Sequence, residues 1–406
     1  MNKKSALKFV ASCVLLFTSS VAVIATTGAS AATAKAKTTT CYKYDATGFN
    51  TTGKAISVKG TSCPKGESKK KPVNLSGYTL TVADPAGAAQ LLWTTGGMDS
   101  QLPSGFKIKF VNVATGPAAV ATVIGGSAQL ATEATAAYVT TVDSGSPVSA
   151  VWTTRASDPA SGFQMLTNKA GWAAGITSAS KIPLGSKIAC AFGTESQYLA
   201  YKVIENANLA PENFTFVNLT PTNALAALAS GAVTAAVMPQ PNIDIAVGAY
   251  SAHIIADGSG ILDGYFVTVM SNEDIQKNNP TEIAAIAEYL YLVALAGKYW
   301  LQNPTVATNG LYTTYFSSVP SLANAIGKQA AADLYSTAGG GSVPMTAKVF
   351  ASFQNQALFL YKAGVLQSYG NTNFASFFKP IFASLVPAVQ KVYSGLSLNG
   401  IPVPLS

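Results

Sequence analysis

The sequence holds a single histidine, His253, and a single arginine, Arg155, among its 406 residues. One histidine excludes a metal site built from several histidines, and any Ser-His-Asp triad would depend on His253 alone. No serine stands in a nucleophile elbow, and neither a Cys-x-x-Cys pair nor a phosphate-loop Gly-Lys-Ser occurs. We therefore expect no catalytic residue, no metal site and no cofactor. The strand-like run around His253 favours a structural role for it.

Charged residues are also scarce, at 11% of the chain against roughly 25% in ordinary soluble proteins. The net charge of +8 is concentrated near the start: residues 32–76 hold nine lysines against Asp45 and Glu67. Residues 77–406 carry fourteen basic and sixteen acidic side chains, so we expect no nucleic-acid partner. The basic segment fits either contact with an anionic envelope surface or a solvated tether.

Long apolar stretches are missing after the first 31 residues, so the sequence predicts no membrane span in the body. At the start, three lysines precede the apolar residues 9–25, and an Ala-Ser-Ala cleavage site follows at 29–31. Residues 1–31 are therefore predicted to be a signal peptide. The protein is then exported, to the periplasm, the cell surface or the medium. A membrane anchor and lipidation at Cys13 remain alternatives.

Cysteine is used sparingly, with four in the chain and Cys13 inside the predicted signal. Cys41 and Cys63 bracket a short polar segment rich in Gly, Thr and Lys. Outside the cytosol such a pair is typical of a disulfide, which we predict here. Cys190 stands in the apolar run 188–192, which favours a buried core thiol over a nucleophile.

From residue 77 onward, strand-like and helix-like patterns alternate. This alternation predicts an α/β protein, and the length of the chain predicts two lobes. The pattern restarts in the second half, and the part after residue 265 is mainly helical. The predicted elements are strands at 78–82, 106–111, 148–153, 187–192, 214–217 and 266–270, and helices at 88–93, 197–207, 224–229, from 281, and at 346–361.

One phrase occurs twice in the chain. Residues 119–133 read AVATVIGGSAQLATE and residues 224–241 read ALAALASGAVTAAVMPQP, with Gly231 corresponding to Gly126, 105 residues earlier. Each copy reads as a helix, a glycine in the left-handed conformation and a buried strand. Ligands of open α/β sheets bind at the carboxyl ends of strands, so we expect the ends of the two copies to face each other across one cleft. Coincidence in an Ala-rich sequence is the alternative.

Four stretches carry a resemblance to a known family: residues 188–200, 208–213, 224–237 and 270–304. They resemble the solute-binding proteins of ABC importers for aliphatic sulfonates, taurine and nitrate, a family related to thiamine-pyrimidine synthase-like domains. The resemblance implies a type II periplasmic-binding fold, a small anionic ligand in the cleft, ABC permease subunits as partners and a monomer. It further implies a first lobe of 77–156 plus 265–406, including a C-terminal helical part packed on it, and a second lobe of 157–264.

The sequence departs from the family at positions that concern the ligand more than the fold. The family commonly has Asp where Gln129 and Thr234 stand, and often Glu or Trp before a proline where Met238 and Gln240 stand. Its usual glycine-aromatic loop is here the predicted loop Asp84-Pro85-Ala86-Gly87. Two further functions therefore stay open: an enzyme on the same fold, thiamine-pyrimidine synthase-like or desulfinase-like, and a wall-associated sensor or adhesion module.

The candidate ligand site gathers at the predicted strand ends. The turn 193–196 precedes a helix, where free N–H groups favour an anion, although simple N-capping by Thr194 or Ser196 is the alternative. Arg155 would clamp an oxyanion, bridge the lobes or lie in solvent. Trp93 and Trp172 fit either the lining of the cleft or core packing, and we expect core packing. The predicted ligand-binding residues are Asp84, Ala86, Gly87, Thr115, Gly116, Thr132, Glu133, Thr135, Arg155, Gly193, Thr194, Ser196, Gln197, Met238 and Gln240.

Overall fold

The computed structural model describes most of the chain from residue 37 onward. The predicted signal peptide and the predicted site residue Ala86 lie outside the described residues. The described ranges are 37–45, 47–48, 55–85, 87–155, 162–240, 242–263, 265–311, 313, 341–342, 347–368, 374–395, 397–398 and 401–402.

Strands alternate with helices along the body, as the sequence predicts. The strands are β1 (Thr38–Lys43), β2 (Ile56–Lys59), β3 (Glu67–Ser68), β4 (Thr79–Pro85), β5 (Lys107–Val113), β6 (Leu130–Ala134), β7 (Val148–Arg155), β8 (Phe163–Thr167), β9 (Lys187–Cys190), β10 (Thr215–Asn218), β11 (Ala235–Pro239), β12 (His253–Asp257), β13 (Tyr265–Ser271), β14 (Gly341–Ser342), β15 (Ser397–Leu398) and β16 (Ile401–Pro402). The helices are α1 (Ala88–Thr95), α2 (Gly116–Ile124), α3 (Thr135–Asp143), α4 (Lys169–Ala173), α5 (Glu195–Asn206), α6 (Pro221–Ala229), α7 (Asn242–Tyr250), α8 (Asn272–Lys277), α9 (Pro280–Gln302), α10 (Pro304–Leu311), α11 (Ala347–Lys362) and α12 (Val386–Tyr393).

Two separate sheets form the body. The first has the strand order β14-β7-β13-β6-β4-β5, with β4 parallel to β5 and β6, and β13 antiparallel to β6 and β7. The second has the order β10-β9-β11-β8-β12, with β9 parallel to β10 and β11. The chain leaves the first sheet after β7 and returns to it at β13. The predicted fold class, an α/β protein of two lobes, is confirmed; each lobe is named below by its sheet, first or second.

The repeated phrase forms the same unit in each lobe. Helix α2 leads through Gly126, at φ 70°, into β6, and α6 leads through Gly231, at φ 76°, into β11. Glycine adopts this left-handed conformation without the steric cost that a Cβ brings, which explains why both copies keep it. Both strands are interior in their sheets. The predicted helix–glycine–strand unit is confirmed in both copies.

Helix α3 directly follows β6, and the sequence analysis did not predict it. Its sequence, TAAYVTTVD, is rich in β-branched residues, which have low helix propensity. Seven of its nine residues are buried, so packing overrides that propensity. The predicted loop at residues 84–87 also begins later than expected, because Asp84 and Pro85 still pair with β5 as part of β4.

The C-terminal helical part packs on the first lobe, as predicted. The long helix α9 and α12 share a buried cluster with residues of β4 and β7. Helix α11 packs against α3 of the first lobe and also against α5 of the second. Within the residues that the structure describes, no helix has the length and apolar character that crossing a bilayer requires.

A small antiparallel sheet precedes the body, with the strand order β2-β1-β3. Cys41 in β1 is bonded to Cys63, 22 residues later, so the predicted disulfide is confirmed. Cys41 is fully buried, and Tyr44 donates a hydrogen bond to the Lys70 carbonyl across the same segment. The disulfide closes a loop that few apolar contacts would otherwise hold.

Replacing Cys41 and Cys63 together by alanine should loosen this sheet and leave the body folded. In the chain-entropy model, a loop of this length contributes about 3 kcal/mol to the stability of the segment that it closes. Limited trypsin digestion should therefore cut residues 37–76 faster in the variant, with little change in the melting temperature of the body. Wild type and Cys190→Ala serve as controls. A large drop in the main melting transition would show instead that the segment supports the body.

Candidate ligand site between the lobes

Two helices of the first lobe begin with side-chain caps from predicted site residues. Asp84 is buried and accepts hydrogen bonds from the Ala89 and Gln90 amides at 3.0 and 2.7 Å, at the start of α1. Thr115 accepts from the Ala118 amide at 3.3 Å, at the start of α2. These caps satisfy N–H groups that would otherwise be free for a ligand.

The predicted anion seat at residues 193–197 is also capped internally. The Gly193 amide donates to Gln197 Oε1 at 2.8 Å, and the Ser196 amide donates to Thr194 Oγ1 at 3.2 Å. Gly193 has φ 70°, and a Cβ there would lie 3.3 Å from Thr140 Cγ2 of the first lobe. Both Ser196 and Gln197 are buried. The N-capping alternative is therefore the arrangement that this structure shows.

Glu195 reaches from the second lobe to the first. Its Oε1 accepts a hydrogen bond of 2.5 Å from the Ala136 amide, at the start of α3. Only 6% of the residue is exposed. A carboxylate at a helix N-terminus interacts favourably with the partial positive charge of the helix dipole. Glu195 thus occupies, across the cleft, the place that an anion would take at the N-terminus of α3.

Glu133 lies beside this contact at the end of β6. Its Oε2 accepts a hydrogen bond of 3.1 Å from Thr141 Oγ1, whereas its buried Oε1 has no hydrogen-bond partner. Gly116 leaves room for it, since a Cβ on Gly116 would lie 2.9 Å from the Glu133 Cβ. In the described ranges the buried charged side chains are all carboxylates: Asp84, Glu133, Glu195 and Glu288.

Burial raises the pKa of both glutamates. The pKa of Glu133 rises to about 8, mainly because burial penalises the ionised form, with the Glu195 charge adding to the rise and the Thr141 hydrogen bond opposing it. The pKa of Glu195 rises to about 7 for the same main reason, and the hydrogen bond from Ala136 opposes it. Near neutral pH, Glu133 is therefore mainly protonated, whereas Glu195 is about half protonated. A protonated carboxyl donates a hydrogen bond, whereas an ionised one only accepts.

The remaining predicted site residues are divided between the cleft and the cores. Thr135 is buried and donates to the Tyr265 carbonyl at 3.0 Å, and Thr132 is partly exposed in β6. Gln240 follows β11 and has a buried Oε1 without a partner. Met238 packs in the apolar cluster of the second lobe, away from solvent.

Two further predicted residues lie at the edges of elements. Gly87 precedes α1 at φ 74°, next to the Asn112 side chain. Arg155 ends β7, where it pairs with Tyr265 and Gly341 through its backbone, and its side chain lies outside the described atoms. The structure thus brings Gly116, Glu133 and Thr135 together with the turn at 193–197, but sets Met238 apart in a core.

The tryptophans and Cys190, singled out in the sequence, have structural roles. One of them, Trp172, does not lie where the sequence predicts. Trp93 is buried, as predicted, and donates to Asp99 at 2.7 Å. Trp172 is 36% exposed and stacks on His253 at a centroid distance of 4.3 Å, so its predicted core position is wrong. Its short helix α4 has no buried residue. Cys190 is fully buried, as predicted, and burial raises the pKa of its thiol to about 12.

Glu195 is not among the residues predicted to bind the ligand. The structure turns it inward to a helix that the sequence analysis had not predicted, so its partner was missing. The signal that was available is the order Thr194-Glu195 at a helix start, where an acidic residue in the first turn is favoured.

Two lobes that meet at their strand ends, with polar side chains converging between them, have the architecture of the periplasmic-binding fold. The chain belongs to the NMT1/THI5-like family, whose model matches residues 103–307. Comparison with curated proteins finds no match.

Solved structures show the same fold. The alkanesulfonate-binding protein SsuA from Xanthomonas axonopodis pv. citri, bound to MOPS, matches with a TM-score of 0.63 at 19% identity, over 75% of this chain and 99% of that one. SsuA from Escherichia coli matches with a TM-score of 0.59 at 18% identity, over 72% and 90%. The nitrate-binding protein NrtA from Synechocystis PCC 6803 matches with a TM-score of 0.60 at 12% identity, over 80% and 91%. The predicted resemblance is confirmed in family and fold.

Glu195→Ala should weaken the contact between the lobes. The substitution leaves the buried Ala136 amide without its acceptor, a loss of about 1–3 kcal/mol. We expect a lower melting temperature and a larger radius of gyration in small-angle scattering, because the lobes separate more readily. Glu195→Gln keeps an acceptor oxygen and should retain most of the stability. Glu205→Ala, on the exposed side of the same helix, is the control; equal losses in the two alanine variants would contradict the interpretation.

Stability should fall as the pH rises from about 5 to about 8. Glu133 has a folded pKa of about 8 against an ordinary value of 4.5, so the folded protein holds a proton that the unfolded chain has released. The resulting stabilisation is complete below the ordinary value and is lost as the pH rises through the folded value. Across this range, the melting temperature of Glu133→Gln should fall less steeply with pH than that of the wild type. Glu195 should account for the pH dependence that remains. Glu212→Gln, at an exposed position, should keep the wild-type slope, and an unchanged slope in Glu133→Gln would refute the assignment.

Proposed function

We propose that this protein is an extracytoplasmic solute-binding protein of an ABC importer, which holds one small ligand between its lobes and delivers it to the permease. The observation that carries the proposal is the meeting of the lobes at Glu195 and the start of α3. There a side chain of one lobe occupies a ligand-like position on the other.

The relatives support the same function. The neighbouring structures are named as binding proteins for alkanesulfonate, aliphatic sulphonate and nitrate, and one holds MOPS, itself a sulfonate. We propose the same division of the chain as the sequence suggested, with 77–156 and 265–406 in the first lobe and 157–264 in the second. The sheet membership of β7, β8, β12 and β13 supports that division.

A small oxyanion, a sulfonate or nitrate, is the proposed ligand class. The amides of the turn at 193–197 are occupied by side chains of the protein. An oxyanion would therefore be received by the protonated carboxyls of Glu133 and Glu195, or would displace Glu195 from the start of α3. The first route couples binding of the anion to retention of a proton in the cleft. Gly116, Thr132 and Thr135 remain proposed contacts because they adjoin Glu133.

Export, the monomeric state and the role of the N-terminal segment are part of the proposal. The signal-peptide pattern at residues 1–31 supports export. We propose that the disulfide-bonded basic segment, residues 32–76, tethers the protein or contacts an anionic envelope surface. Deleting it should then release the protein from the envelope without changing its affinity for the ligand.

An enzyme on the same fold is the second candidate, and Cys190 is the residue that would decide it. Its thiol is fully buried and burial raises its pKa to about 12, which leaves little thiolate at neutral pH. The structure thus supports binding over nucleophilic chemistry at this residue. Turnover that disappears in Cys190→Ala would favour the enzyme instead.

A thermal-shift screen of sulfonates, nitrate, bicarbonate, pyrimidines and aromatic acids should show stabilisation by a sulfonate or by nitrate, because a ligand that binds only the folded state raises its melting temperature. The affinity for that anion should fall as the pH rises above about 8, by about tenfold per pH unit for one coupled proton. Titration calorimetry at several pH values measures it.

The pH profile separates the ligand classes. Glu133→Gln should weaken the pH dependence of anion binding, and the exposed Glu212→Gln should leave it intact. A ligand that binds more tightly as the pH rises would be a cation attracted by the ionised carboxylates, and the proposed anion class would then be wrong. Stabilisation by no member of the panel would also refute it.

A further inference from the structure

Helix α11 lies against both lobes at once. Phe353 packs on Tyr138 of α3, with ring centroids 5.7 Å apart. Phe359 packs edge-on against Tyr198 of α5, with centroids 4.9 Å apart, and Lys202 Nζ lies 4.9 Å from the Phe359 ring. Helices α3 and α5 also contact each other, so the three helices pack against one another at the junction of the lobes.

Two polar side chains lie on the buried face of α11 without a hydrogen-bond partner in the protein. Ser352 is 4% exposed and Gln356 is 3% exposed. The Ser352 Oγ and the Gln356 Oε1 are buried atoms without a partner. A buried polar atom left unpaired costs about 1–3 kcal/mol, so such atoms in a native structure indicate a missing water or ligand.

The helix geometry places both side chains between the two lobes. An α-helix turns by about 100° per residue. Measured from Phe353 in one direction around the axis, Gln356 lies at about 60°, Ser352 at about 100° and Phe359 at about 120°. Phe353 contacts the first lobe and Phe359 the second. Ser352 and Gln356 therefore lie in the arc that faces the junction of the lobes.

Two more buried side-chain oxygens without a partner lie at or just after β6 and β11, the strands of the repeated phrase. They are Oε1 of Glu133, after α2 in the first copy of the repeated phrase, and Oε1 of Gln240, which follows the second copy. All four atoms are oxygens that accept a hydrogen bond. A ligand group that supplies O–H or N–H donors would satisfy the Gln356 and Gln240 carbonyl oxygens, which cannot donate, whereas the Ser352 hydroxyl and a protonated Glu133 can also donate to an oxyanion.

We propose that α11 is a third wall of the ligand site and that Ser352 and Gln356 bind the ligand through a donor group remote from its anionic end. This inference rests on the proposed function. It extends the site beyond residues 103–307, the part that the family model matches. The ligand is then a small oxyanion whose other end carries a hydroxyl or N–H group.

A matched pair of probes tests this role. Ethanesulfonate and 2-hydroxyethanesulfonate differ by one hydroxyl, and the wild-type protein should bind the hydroxylated probe about three- to tenfold more tightly, as expected for one net hydrogen bond. Gln356→Met keeps the size of the side chain and removes its polar atoms, so it should abolish this preference. Ser352→Ala should reduce it. Asn355→Ala, at an exposed position of the same helix, should leave it unchanged.

The melting temperature without any ligand gives a second, independent measurement. If the Gln356 oxygen has no partner in the empty protein, Gln356→Met should keep or raise the melting temperature, since an apolar group replaces an unpaired polar one. A lower melting temperature with an unchanged probe preference would overturn the proposal and show a structural hydrogen bond to buried water. If neither sulfonate binds the wild type, the proposed anion class fails, and the melting temperature of the Met variant alone decides whether this oxygen is free for a ligand.

Discussion

The hydrogen bond from the Ala136 amide to Glu195 is the short, buried polar contact that joins the two lobes at the candidate site. It caps a helix that its own lobe leaves without a side-chain cap, because residue 134 before α3 is an alanine. The N-terminus of α3 in the first lobe therefore receives its side-chain acceptor, Glu195, from the second lobe. Since a buried amide without an acceptor is costly, separating the lobes has a defined energetic cost at this one point.

The same contact determines what the cleft offers to a solute. With Asp84, Thr115 and Thr194 capping their own helices, the protein's side chains occupy the amide groups that usually receive anions. The cleft instead offers carboxyls whose charge depends on burial, together with unpaired acceptor oxygens. In the proposed function, recognition would therefore depend on protonation and on hydrogen-bond donors of the ligand more than on fixed positive charge.

Much of the fold could be predicted from the sequence, because the strands and helices follow from local patterns of apolar residues and glycines. The alternation of apolar stretches and the paired Gly126 and Gly231 were sufficient to predict both lobes and the matching units within them. Helix α3 could not be predicted, because its Thr and Val residues have low helix propensity and only tertiary packing stabilises it.

The site was predicted less completely, for a related reason. Glu133 and Gly116 lie at predicted strand and helix ends, and the structure places them in contact. The inward direction of Glu195 depends on α3, and the burial of Ser352 and Gln356 depends on a helix that meets both lobes. Such contacts join residues far apart in the chain, and no local pattern in the sequence marks them.

The aromatic contacts of α11 have a consequence for how the closed arrangement responds to its surroundings. Phe353 and Phe359 join the lobes through apolar contact, which weakens on cooling because its driving force near room temperature is entropic. The contact of Glu195 with the start of α3 is buried, so dissolved salt screens it little. The strength of the contact between the lobes should therefore depend on temperature more than on ionic strength.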